Sequence, residues 1–387
     1  MKQQELVKRA KQLLEVNILD FWWTRMRDTN GGFYGRMDGH NMLHPDAERG
    51  AVLNARLLWA FAAAYRVLRK TEYLTAAKWA KDYIEAHFLD REYGGCFWSV
   101  TAEGQPLDTK KQTYAIGFMI YAFSEYARAT GDEQAKQTAI NLFNDIEAHA
   151  FDTEHAGYVE ALTRDWQPIA DMRLSDKDEN AAFTMNTHLH ILEPYTNLYR
   201  IWRDERLHKQ LLTLIDIFTD RLYNPSNHHV DCFFDTNWNG RRDIASYGHD
   251  IEAAWLLNEA LAVLNDDQLT ARVRPVTTLI AAASEEGLRS DGSMVHEDKD
   301  VSRQWWVECE AVVGFIDQWQ LTQDQRQWRM AERAFTYILD HLVSWQEGEF
   351  YWAVLPDKTL DRTNDKAGFW KCPYHNSRMC LEIIERI

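Results

Sequence analysis

Cysteine, proline and clustered positive charge are all scarce in this 387-residue chain, and each shortage closes off a class of protein. The five cysteines (Cys96, Cys232, Cys309, Cys372, Cys380) form no close pair of the kind that holds zinc. Their odd number, on a chain that reads as having no export signal, leads us to expect reduced thiols in a cytoplasmic protein. The eight prolines are scattered, so no proline-rich linker divides the chain. Lys and Arg total 43 against 59 Asp and Glu, a formal charge of −16. Such a surface repels nucleic acid and anionic membrane, because binding phosphates needs grouped cations. No run reaches the ~20 apolar residues that span a bilayer. The first residues, from Met1 to Val16, read as an amphipathic helix without the apolar centre of a signal peptide.

What the chain does have is a repeat. Six short turns rich in glycine and aromatics recur roughly 55–75 residues apart, the spacing of a repeat architecture. They are Gly31–Gly35, Gly94–Trp98, Ala156–Glu160, Asp231–Asp235, Asp291–Val295 and Gly348–Trp352. Before each lies a half-polar helix pattern: 5–18, 73–88, 133–149, 205–222, 269–287 and 325–344. After each, beyond a polar loop, comes a pattern apolar nearly all round: 50–66, 112–129, 183–201, 248–264, 305–321 and 374–386. A helix without a polar face is enclosed by protein, whereas a helix with one apolar stripe covers something. One repeat cannot bury its own apolar face, so the units must stack. The expectation is an all-α fold, a single (α/α)6 barrel over residues 1–387, with six helical hairpins, short β-hairpin turns at one end and a pocket at one mouth. The 16 Trp, 16 Tyr and 17 Phe suit the gap between two helical layers, with a few rings left for the pocket.

Polar side chains on enclosed helices are costly unless they are paired, so those that recur there are the candidates for function. They are Arg56 on the first inner helix, Tyr114 on the second, Asn186 and His190 on the third, His249 and Glu252 on the fourth, and Trp306 and Glu310 on the fifth. His375 lies on the sixth, with Trp370 just before it. Ser246 reads as the N-cap of the fourth inner helix and Pro373 as part of the first turn of the sixth. Both His249 and His375 then sit at helix N-termini at the same mouth, where the helix dipole disfavours imidazolium. Arg56, His190 and Glu310 fall deeper, and Arg56 could form an ion pair with Glu310. His188 and His190, two apart on a helix, point to different sides, so no metal site is expected there. His188 reads as packed or solvated. His40 and His44 have the right spacing but lie in a loop. Of Trp305 and Trp306, one should face the helix layers and the other the pocket. The run Asp108–Lys111 reads as a solvated loop.

The segments Ser246–Ala253, Trp305–Phe315 and Trp370–Asn376, with Thr184–Asn186, His190 and Asn54–Trp59, closely resemble the cellobiose 2-epimerases of the N-acylglucosamine 2-epimerase superfamily. The resemblance runs nearly end to end and implies the (α/α)6 barrel. It further implies that His249 and His375 act as acid and base at the sugar C2, that His190 assists at the O1/O5 end and that Arg56 contacts the reacting oxygens. Trp306 and Trp370 would hold the sugars, and no cofactor, metal or nucleotide is implied. Tyr114, Asn186, Glu252 and Glu310 complete the expected substrate-binding set. Glu308 departs from the pattern, standing where these enzymes commonly carry Gln; if it faced the pocket, it would work against a second sugar.

Such an enzyme opens the pyranose, removes the C2 proton and returns one to the opposite face. Two flanking imidazoles do this directly near neutral pH. The sequence leaves four alternatives open: a mannose 2-epimerase, an aldose–ketose isomerase that protonates the same enediolate at C1, an α/α-barrel glycoside hydrolase using Glu252 and Glu310, and a non-catalytic scaffold or sugar-binding protein, which would leave the buried His, Arg and Glu without a job. The expected partner is a small sugar, not nucleic acid or membrane, bound by a monomer or weak homodimer.

Overall fold

The apolar patterns fold into two concentric layers of helices. The computed structural model describes residues 1–175, 178–240 and 244–387. In chain order the α-helices are α1 (Gln3–Gln12), α2 (Ala51–Leu68), α3 (Thr71–His87), α4 (Thr113–Thr130), α5 (Glu133–His149), α6 (Met185–Ile201), α7 (Glu205–Ile217), α8 (Tyr247–Leu264), α9 (Asp267–Ser284), α10 (Trp305–Thr322), α11 (Gln325–Tyr337) and α12 (His375–Arg386). The even-numbered helices form the inner ring, each packed against the next, with α12 returning to α2. Helices α3, α5, α7, α9 and α11 cover the inner helix that precedes them, and α1 covers α12, so the two ends of the chain close the barrel. Outer helices α1, α7 and α11 continue into wider π-helical turns at Leu13–Leu19, Phe218–Leu222 and Ile338–Leu342.

Local chemistry sets the links between layers. Helices α4, α8 and α10 end on the left-handed residues Gly131, Asn265 and Gln323. The aspartate that follows each (Asp132, Asp266, Asp324) accepts backbone N–H bonds as N-cap of the outer helix. The inner helices are enclosed as their composition requires: every residue of α2 from Ala51 to Ala64 is buried. This helix is long and apolar enough to cross a membrane, more so than the sequence reading allowed, but 78% of it is buried inside the ring, as befits a core helix.

All six aromatic turns are tight antiparallel hairpins, bridged at Arg27–Phe33, Leu89–Cys96, Phe151–Tyr158, Tyr223–Val230, Leu288–Met294 and Val343–Phe350. A second ladder ties the entrance of each inner helix to the next unit: Arg49–Val100, Lys111–Leu162, Phe183–Phe234, Ser246–Glu297 and Arg303–Val354. Met37–Ala367 completes the circuit between the two ends of the chain. The N-termini of the inner helices are thereby fixed at one mouth. The Asp108–Lys111 reading needs correction. Lys111 joins this ladder and is fully buried, and its ammonium is paired with Asp90 at 2.8 Å. Pro373 also lies outside α12, which starts at His375 with Tyr374 as its N-cap.

Candidate active site

A cavity of about 690 Å³ opens at the mouth where the inner helices begin. Its wall includes Arg56, Tyr114, Asn186, His190, His249, Glu252, Trp306, Trp370 and His375, so nine of the ten candidate residues meet there. The tenth, Glu310, does not line it. Its carboxylate lies behind His375 and accepts from that ring's Nδ1 at 2.7 Å. Helical register explains the convergence. Arg56, His190, Glu252 and Glu310 are each the sixth residue of their helix, at one level below the mouth.

The two mouth histidines are held from behind by different chemistry. His249, in the first turn of α8, has Nδ1 at 2.8 Å from the Ser246 hydroxyl. Burial, then the charges of His296 and His190, push its pKa down to about 3. His375 is the first residue of α12, and burial followed by the charge of Arg378 holds it well below its ordinary value. Burial thus disfavours imidazolium at both rings, each with Nδ1 engaged and Nε2 left over. Trp306 lies between these two regions, its ring 4.8 Å from His249 and 5.6 Å from His375. Gly248 makes this approach possible, since a Cβ there would stand 2.7 Å from the Trp306 ring. Trp305 also borders the cavity, edge-on to His375 at 5.4 Å, so the expected division of the tryptophan pair does not hold.

His190 sits at a kink. Pro194 has no N–H to bond the His190 carbonyl, and the backbone at His190 leaves the helical region (φ −88°, ψ 15°). Gly117 of α4 fills the space beside that carbonyl, where a Cβ would come within 2.5 Å of the oxygen. The ring bonds Glu193 through Nδ1 at 3.2 Å, and burial lowers its pKa to about 4. His188 is the packed histidine, with Nδ1 on the Thr184 carbonyl and Nε2 accepting from the Tyr158 N–H.

Arg56 does not pair with Glu310. It donates to the Tyr114 hydroxyl at 2.8 Å and to Cys372 Sγ at 3.6 Å, and lies over the rings of Phe118 and Tyr374 at 4.2 and 4.3 Å. Glu310 belongs instead to Arg378, a residue the sequence reading missed. This guanidinium is buried among Glu193, Glu252, Glu310 and the Tyr374 hydroxyl. Against burial, Arg378 holds Glu193 down to about 2. Glu252 goes the other way, pushed up to about 8 by burial and by Glu310. It is thus a neutral carboxyl at pH 7. Its Oε2 and the amide oxygen of Asn186 have no hydrogen-bond partner among the described residues, and both side chains border the cavity. Buried polar atoms left in this state fit sugar hydroxyls. Glu252, Glu310 and His375 have donor atoms within 4.8 Å of one another, a spacing a cation could use. Arg378 already supplies positive charge to both glutamate side chains, so a metal would have to compete with it.

Glu308 faces away from the cavity. Its Oε1 accepts from the Met294 N–H at 2.9 Å, its Oε2 is unpartnered, and burial pushes its carboxyl well above the usual range. Arg378 and Glu193 met the criterion that selected the others, charge on an enclosed helix. His296, another cavity residue, lies on a loop with no such signal.

The sequence and the fold have counterparts in known proteins. A cellobiose 2-epimerase of Bacteroides fragilis is 51% identical over 98% of this chain and 99% of its own length. Another, from Ruminococcus albus, is 39% identical over 98% and 99%. The solved structure of cellobiose 2-epimerase from Bacillus thermoamylovorans B4167 superposes with a TM-score of 0.94 at 40% identity, covering 99% of this chain and all of that one. The family model for N-acylglucosamine 2-epimerase (GlcNAc 2-epimerase) matches residues 32–378, which span every inner-helix residue of the cavity. With its (α/α)6 barrel and a match along nearly its whole length, the chain belongs to the N-acylglucosamine 2-epimerase family.

Proposed function

We propose that the chain is a carbohydrate epimerase, an isomerase that inverts C2 of the reducing-end aldose of β-1,4-linked disaccharides. Cellobiose would give glucosyl-mannose, and mannobiose would give mannosyl-glucose. One observation carries the reading: two imidazoles border one cavity, each with Nδ1 held from behind. The relatives named above are themselves cellobiose 2-epimerases, which supports the disaccharide. The cavity volume of about 690 Å³ has room for such a ligand.

In the reaction one imidazole removes the C2 proton of the opened sugar, and the C–H electron pair enters the C1–C2 enediolate. The other ring, which enters the step carrying a proton on Nε2, then gives that proton to the opposite face of C2 to form the new C–H bond, and the first ring keeps the one it removed. Arg56, with Tyr114 and His190 beside it, offers donors to the O1/O2 charge in a water-poor site. Neutral Glu252 and Asn186 hold hydroxyls, and Trp306 and Trp370 support the sugar faces. The hydrolase alternative asks for two carboxylates with a water between them, about 6.5–9.5 Å apart when inverting. Glu252 and Glu310 approach within 4.8 Å, share one guanidinium, and only Glu252 reaches the cavity. Glu308 points away from the cavity, so it is no obstacle to a second sugar. We place the protein in the cytoplasm, on the ground that Cys96, Cys309, Cys372 and Cys380 are buried free thiols. We take it to work without a cofactor, as a monomer or weak homodimer.

The test is incubation with cellobiose, mannobiose, mannose and fructose in deuterated water. The proposal predicts C2-deuterated epimer from the disaccharides. Free monosaccharide released from cellobiose would mark a hydrolase, and ketose as the main product an isomerase. Mannose turned over faster than cellobiose would move the chain to the monosaccharide enzymes. His249→Ala and His375→Ala should each lower kcat roughly 10²–10⁴-fold.

A further inference from the structure

The residues at the N-cap position of the inner helices do unlike jobs. Thr184, before α6, caps its helix in the usual way, its hydroxyl accepting from the Thr187 N–H. Ser246 holds the same place before α8 and is a preferred capping residue, yet its side chain bonds no backbone N–H of that helix. Its hydroxyl is turned to Nδ1 of His249 instead, at 2.8 Å. Gln304, before α10, behaves similarly, accepting from the indole N–H of Trp306 at 3.0 Å. At two neighbouring helix entrances, then, the capping position is given over to gripping a cavity side chain.

Ser246 is also firmly placed. It is 1% exposed, and its backbone is paired with Glu297 in the inter-unit ladder. The turn of α8 that follows is tied down by Asp250, which accepts from the Val230 N–H at 2.9 Å and bonds His229 Nδ1 at 2.7 Å. A hydroxyl fixed in this way on one ring nitrogen selects the tautomer and the ring rotation together.

We propose that Ser246 is a positioning residue for His249: its hydroxyl accepts from Nδ1–H and keeps Nε2 turned to the cavity, whether that nitrogen is empty or carries the C2 proton. This inference rests on the 2-epimerase reading. Nδ1–H is present in both the neutral and the protonated ring, so one hydrogen bond serves both halves of the cycle. Ser246 brings no charge, whereas the corresponding partner of His375 is the carboxyl of Glu310.

The experiment compares Ser246→Ala, Ser246→Cys and Ser246→Thr with the parent in deuterated water, starting from cellobiose and, separately, from its C2 epimer. Ala and Cys should lower kcat roughly tenfold, in line with the loss of an orienting partner, with KM nearly unchanged, and Thr should restore it. The decisive readout is deuterium in recovered substrate relative to product. When His249 is the ring that must deliver the proton, its misplacement sends the enediolate back, and the ratio rises. When His249 is the ring that removes the proton, return is the impaired branch, and the ratio falls. Opposite shifts from the two epimers support the proposal. A shift of the same sign from both, or none in a folded Ala or Cys variant, overturns it; Cys keeps the side-chain volume should Ala fail to fold. A parent enzyme that makes no deuterated epimer overturns the 2-epimerase reading itself.

Discussion

Two arginines are buried in the ring of inner helices, and their surroundings are opposites. Arg378 of α12 is met by three carboxyl groups and a tyrosine hydroxyl. Arg56 of α2 is met by a phenol, a thiol and two aromatic faces, with no carboxylate partner among the described residues. Enclosing a charge costs several kcal/mol even after relaxation. An aromatic face returns about 2 kcal/mol when water is excluded. The Arg378 site is therefore complete in itself, and the Arg56 site is short of an anion. The difference separates two tasks: Arg378 holds the carboxylates that set His375 and Glu252, while Arg56 keeps its charge for whatever enters the cavity.

The largest effect should come from breaking the complete site. Arg378→Met strands carboxylates at the barrel centre and should destabilise the fold by about 3–5 kcal/mol. Arg56→Met strands none and should cost far less. Urea unfolding of both variants is the check, and equal losses would erase the distinction. Next comes activity. Arg56→Lys keeps a charge but loses the planar fork, and kcat should fall by about 10²–10³ if two oxygens share that fork. Full activity in the Lys variant would reduce Arg56 to a packing role.

A third test uses pH to move charge within the complete site. Glu252, with its pKa raised to about 8, is protonated at neutrality. Above that pH a second negative charge appears beside Glu310 and opposes an anionic enediolate. The kcat/KM profile should therefore fall on its alkaline side near pH 8, and Glu252→Gln should remove that limb. A limb unchanged in the Gln variant would assign it to another group.

The smallest effect concerns Glu308, a buried carboxyl outside both sites. Its folded pKa is raised, so the native state keeps a proton that the unfolded state has lost. Stability should thus decline as pH rises through the ordinary carboxyl range and beyond, until the buried group itself ionises. Glu308→Gln should be the more stable protein at pH 8 by on the order of 1 kcal/mol, with the gain shrinking toward pH 4. Denaturation midpoints at the two pH values measure this directly.

The same contrast explains what the sequence made legible. Arg56, His190 and Glu252 stand alone in apolar stretches, and helical register alone carries them to one level. Arg378 does not stand out, although its segment reads as an inner helix, because Asn376, Ser377, Glu382 and Glu385 crowd the same short stretch. It is enclosed by Glu193 of α6, Glu252 of α8 and Glu310 of α10, and local periodicity cannot report such contacts. Lys111 was hidden for a like reason, since its burial depends on a strand partner at Leu162 and an anion at Asp90. The fold itself was legible because a repeat needs only its own period to announce stacking.

The meeting of α1 with α12 also bears on how the molecule comes to be active. His375 and Arg378 belong to the segment held by the chain's opposite end, so assembling the charged half of the cavity closes a loop of nearly the entire chain. Contacts at such separation are the slowest to form, although the entropy of closure grows only gently with length. Five hairpins can stack while the last is absent, but they form an open trough without the second imidazole. Regain of activity during refolding should therefore lag behind regain of helicity, and turnover becomes a clock for the closing of the ring.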